Sequence, residues 1–162
     1  MSWIRRLPTV KTLVGSKGNP CRACLSCVRA CSEAFYKTFD PDLSCIRITA
    51  KADGEPKVMS CIMCGKCART CPEGAISQNA KGVYMIDKKK CVGCGKCVEA
   101  CPMHVMVMAP VADKPSKCIP CGICAKACPM GILPVEEKYA YIIASGGRPF
   151  RAPDRFPTPR GA

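Results

Sequence analysis

The chain has 162 residues, near the size of one domain, which excludes a large multi-domain enzyme. Its hydrophobic fraction of 48% includes 17 cysteines, and with 15 prolines, 13 glycines and one tryptophan the ordinary apolar core is thin, so staples of another kind are needed. A formal charge of +13 points to an anionic counterpart, held inside the protein or docked on it.

Residues 1–20 predict an N-terminal arm, with Trp3 and Ile4 available to a partner. Pro8 and Lys11 interrupt any apolar run behind the Arg5-Arg6 pair, so neither a secretory leader nor a twin-arginine signal is expected. Nothing else approaches the roughly 18 apolar residues of a membrane span. The expected location is the cytoplasm, where thiols stay reduced and cysteine clusters bind metal.

An internal repeat then organises the sequence. Its copies are CRACLSCVRAC from Cys21 to Cys31, CIMCGKCARTCP from Cys61 to Pro72, CVGCGKCVEACP from Cys91 to Pro102 and CIPCGICAKACP from Cys118 to Pro129. Each is spaced C-x2-C-x2-C-x3-C, which accounts for every cysteine except Cys45. Three thiolates two residues apart on a tight loop each reach a different iron of one cubane, while the fourth faces away and ligates a neighbouring cluster. Structural zinc instead takes two cysteine pairs around one tetrahedral ion. Disulfides do not suit the compartment, and a radical enzyme would need one open-iron cluster in a large barrel.

Gly65, Gly95 and Gly122 follow the second cysteine, where a missing Cβ lets backbone amides approach inorganic sulfide. Pro72, Pro102 and Pro129 follow the fourth cysteine and stop the helix there. Motif one departs, with Leu25-Ser26 in place of the glycine and Ser32 in place of the proline. Short helices are expected through the third and fourth cysteines, with Ala68, Val98 and Ala125 inward. Short strands are expected at Ile46–Thr49, Val83–Ile86 and Val105–Met108. Met103, Met106, Met108 and Met130 are expected to fill gaps around the clusters. Lys66, Lys96, Lys126 and Arg69, inside the motifs, would favour a reduced, more negative cluster. Cys45 reads as a small buried hydrophobe, and His104 as structural.

From Cys61 to about Met108 the chain resembles bacterial two-cluster ferredoxins. The resemblance implies that Cys61, Cys64, Cys67 and Cys101 hold one 4Fe-4S cluster and that Cys91, Cys94, Cys97 and Cys71 hold the next. The whole repeat resembles electron-transfer subunits of molybdenum and tungsten oxidoreductases, where outer motifs pair around an inner unit. On that likeness Cys21, Cys24, Cys27 and Cys128 hold a third cluster, and Cys118, Cys121, Cys124 and Cys31 a fourth. Spacing alone leaves open the pairing of one with two and three with four. The stretch CSEAFYKTFDPDLSCIRI, from Cys31 to Ile48, is similar to the iron–sulfur small subunits that accompany tungsten-dependent aldehyde oxidoreductases.

These likenesses imply an α+β, duplicated ferredoxin-like fold of two modules, each holding two clusters. The four-cluster domain covers 21–135, with an inner module at about 58–110 and an outer one from 21–57 plus 111–135. A C-terminal extension follows at 136–162 and is basic from about 144, with Phe150 and Phe156 as anchors for another subunit. The implied function is a non-catalytic relay between a large tungsten or molybdenum subunit and a flavin, NAD-linked or ferredoxin acceptor. Alternatives are a free polyferredoxin, or the iron–sulfur subunit of a formate dehydrogenase or hydrogenase. End-to-end self-association is a further expectation. Lys88, Lys89, Lys90 and the arginine-rich tail lack a nucleic-acid motif or stacking platform, so no nucleic acid is expected.

Overall fold

The computed structural model describes residues 9–13 and 19–139. The expected tail from 144, the proposed end-to-end contact, and Trp3, Ile4, Phe150 and Phe156 lie outside them. The described chain is α+β, built from short hairpins and short helices. Strands β1 (Thr9–Leu13) and β6 (Val135–Tyr139) pair antiparallel, as do β2 (Arg47–Ala50) with β3 (Pro56–Met59) and β4 (Ile76–Gln78) with β5 (Tyr84–Ile86). Helices α1 (Ser26–Tyr36), α2 (Lys66–Thr70), α3 (Lys96–Glu99) and α4 (Ile123–Ala127) each start inside a cysteine motif.

The helices obey the motif chemistry. α2 and α4 end at Cys71 and Cys128, whose backbones turn extended, immediately before Pro72 and Pro129. In α1, Ser32 supplies the N–H that a proline would remove, and the helix continues past Cys31 to Tyr36. Val105–Met108 forms only a single bridge, Val107 with Ser116. His104, left-handed at φ 50°, stands on one side of it, and Pro110 and Pro115 limit further pairing.

Several of the cysteines are themselves core residues. Val28, Ile46, Ile132 and Leu133 pack with Cys27 and Cys124, and Ile76, Val105 and Met106 pack with Cys67, Cys97 and Cys101. β1, read above as part of an arm, joins the two. Leu13 enters the first cluster, while Val10 is buried with Met63 and Val83 beside the second. The Thr12 hydroxyl donates to the Cys61 carbonyl at 3.1 Å, and the Ser60 hydroxyl to the Leu13 carbonyl at 3.1 Å. Segments more than a hundred residues apart in sequence are thus paired, and β1 ties that pair to the middle of the molecule.

Candidate iron–sulfur sites

Each motif loop winds the same way. The second and fourth residues after the first cysteine have positive φ: Ala23 and Leu25, Met63 and Gly65, Gly93 and Gly95, Pro120 and Gly122. Alternating left-handed residues turn successive amides to one side, and such concavities hold anions, including the sulfides of iron–sulfur centres. The expected glycines therefore occupy one of two left-handed positions, and Leu25 adopts φ 58° without glycine's freedom. At Gly65 an added Cβ would run into the Tyr84 ring, and at Gly93 into the Asp113 carbonyl.

Among the described residues, three of the loops open onto cavities. One is lined by Cys61, Cys64, Cys67 and Cys101, with Met103 and Met106 beside them. Another is lined by Cys71, Cys91, Cys94 and Cys97. A third brings Cys21, Cys24 and Cys27 to Cys128, with Met130 alongside. Met108 is 39% exposed and lines none of these cavities.

The remaining set is brought together by the packing of α1 on α4. Burial pushes the Cys124 thiol up to about 12, with the charges of Cys31 and Cys121 adding to it. Cys118 is raised by burial and by the neighbouring Cys61 and Cys124. Cys31 goes the other way, down to about 6, because the Cys45 thiol donates to its sulfur and the Ser44 hydroxyl and the Cys45 and Ile46 amides surround it. Cys45 and Ser44 are fully buried. The leftover cysteine is buried, as expected of a small hydrophobe, and it also lies near enough to Cys31 to lower that thiol's pKa.

Sequence reasoning also missed Lys117. It is 3% exposed, lines the first cavity, and points Nζ at Cys61 Sγ and Met63 Sδ, both 3.6 Å away. The motif cations singled out earlier, Lys66, Arg69, Lys96 and Lys126, are all exposed, and Arg69 is hydrogen-bonded to the Cys64 carbonyl. His104 is exposed at its left-handed turn.

The donor chemistry fits 4Fe-4S clusters. Among the described residues no three cysteine, histidine or carboxylate side chains converge on a single ion. One-ion zinc geometry requires such convergence, whereas a cubane spreads its thiolates over four irons. Family comparison points the same way. A 4Fe-4S dicluster domain matches residues 60–105, a second 4Fe-4S dicluster domain matches 83–129, and a 4Fe-4S binding domain matches 19–36. The chain thus carries ferredoxin-type 4Fe-4S domains over these residues. No curated protein matches the chain. Motif three falls inside both dicluster matches, so the ferredoxin likeness does not decide the partner of motif four, while the third cavity sets its Cys128 beside motif one. Ferredoxin-type 4Fe-4S domains imply an electron-transfer role rather than a catalytic one. Among the described residues no helix is long and apolar enough to cross a membrane.

Proposed function

We propose that this ferredoxin-type chain holds four 4Fe-4S clusters and relays electrons in the cytoplasm from a catalytic subunit that oxidises an aldehyde at tungsten to a flavin subunit or ferredoxin. The reading rests on one observation. Three cavities among the described residues are each lined by three cysteines of one motif and the fourth cysteine of another, the division of labour that the spacing calls for. The fourth set is Cys118, Cys121, Cys124 and Cys31, and the domain limits are those of an inner unit nested in an outer one. Each bound cluster takes up and returns one electron.

The chain's own residues do the rest. The left-handed loops would offer amides to the sulfides of a bound cluster, and the buried third thiol of each motif, Cys27, Cys67, Cys97 and Cys124, would keep water from that side. Neighbouring sets lie close enough to affect one another: Cys97 responds to Cys67, Cys118 to Cys61, and Cys124 to Cys27. The sites then follow in the order motif three, two, four, one.

Anaerobically purified protein should contain about sixteen irons per chain and show reduced-cluster signals in electron paramagnetic resonance. Zinc, or far less iron, would refute the cluster reading. Purification from the native source should bring along a larger tungsten-containing subunit. An isolated monomer would instead support a free polyferredoxin, and a molybdenum or nickel partner a formate dehydrogenase or hydrogenase subunit.

A further inference from the structure

Lys117 is a buried lysine that forms no ion pair with a carboxylate among the described residues. Its polar contacts are the Cys118 carbonyl at 3.1 Å, Cys61 Sγ and Met63 Sδ. An unpaired charge in such a place is costly unless an anion is held nearby. Lys90 stands in the same position relative to its motif, one residue before Cys91, and is exposed, so the burial does not come with the motif. It comes from where Lys117 lies: Nζ meets the first cysteine of motif two, and its own backbone carries the first cysteine of motif four. Those are the two central sites in the order given above.

We propose that Lys117 is a fixed positive charge shared by the two central clusters, making both easier to reduce than the terminal ones so that electrons collect in the middle of the relay. This rests on the cluster assignment above. Adding one electron to a thiolate-bound cluster, from a one-electron donor and with no proton taken up, increases its negative charge, and a nearby cation stabilises that state. Burial protects the effect from salt, unlike that of the exposed motif lysines.

The test is a spectroscopic redox titration of the full iron-loaded chain with a low-potential reductant, in wild type, K117Q and K117R, each with its iron content measured. Two of the four one-electron steps should fall in K117Q by at least tenfold in reduction equilibrium, 59 mV each. The other two should hold, and K117R should stay near wild type. If K117Q is fully loaded and all four steps are unmoved, or all move together, the inference is overturned while the cluster reading stands. Wild type lacking the iron would overturn the cluster reading itself. Should K117Q fail to load, wild type grown with lysine labelled with 15N at the side-chain nitrogen decides. A labelled-nitrogen coupling on the reduced-cluster signal supports the inference, and its absence overturns it.

Discussion

α1 and α2 enter their motifs alike and leave them differently. Both start at a left-handed residue two positions before the third cysteine, Leu25 and Gly65. α2 stops after five residues, whereas α1 runs for 11. The added turns carry Ser32, which is fully buried and whose hydroxyl accepts the Asp40 amide at 3.3 Å. That contact anchors the start of the loop that returns Ser44 and Cys45 to Cys31. Around α2 the thiols meet mainly other motif residues and Lys117. Around α1 the chain builds an additional set of donors from its own following loop. Losing two motif residues therefore converts a minimal cluster loop into a scaffold, and the extra hydrogen bonds gather where the repeat is broken.

The largest expected effect comes from restoring the repeat. Ser32→Pro removes an interior helical N–H and the acceptor for Asp40, so unfolding by denaturant should show a loss of about 3 kcal/mol or more. An unchanged midpoint would mean that the length of α1 supports nothing. A smaller effect comes from exchanging the left-handed residues. Gly65→Ala adds about 1–2 kcal/mol of left-handed strain and a contact with Tyr84, measurable in the same melts. Leu25→Gly relieves similar strain but gives up the packing of Leu25 against the core, so its melt should move by much less.

The motif chemistry was legible because it is local. Cysteine spacing, the glycine at the fourth position and the proline stop all act within one turn of chain, and Ser32 announced its exception in the same way. β2 and β5 lie within a residue of their expected places. What was hidden depends on residues far apart in sequence. No pattern distinguishes Lys117 from Lys90, because burial is decided by Cys61 and Met63 more than fifty positions away. Cys45 looked like any spare cysteine until α1 brought Cys31 to it. β1 could be read as an arm because its partner β6 is at the other end of the described chain.

The two halves also differ in how pH should act on the metal-free, reduced protein. In the half built on α1 and α4, burial pushes Cys27 up to about 11 and Cys124 to about 12; in the other half Cys97 is raised to about 11. A thiol whose folded pKa is raised from about 9 stabilises the fold fully below that value, and the contribution disappears as pH climbs through the folded value. Cys31, depressed to about 6, has the opposite sign: its contribution is full above about 9 and disappears as pH falls through 6. Circular dichroism of the metal-free chain should therefore show helix loss between about pH 9 and 12, greater for α1 and α4. A flat profile over that range would contradict the burial of these thiols.

The smallest effect separates placement from mere presence of charge. Lys66 stands just before the third cysteine of motif two and Lys126 two residues after that of motif four, and both are exposed. Water and salt screen an exposed ammonium over about 8–10 Å at ordinary ionic strength, so its attraction for a reduced cluster is weak. K66Q and K126Q should each shift one reduction step by less than tenfold, and the shift should disappear in high salt. The step governed by Lys117 should keep its position in the same salt. If K126Q instead moves its step as far as K117Q does, the cations act through the overall charge of the chain, and burial at the centre has no special part in setting where electrons rest.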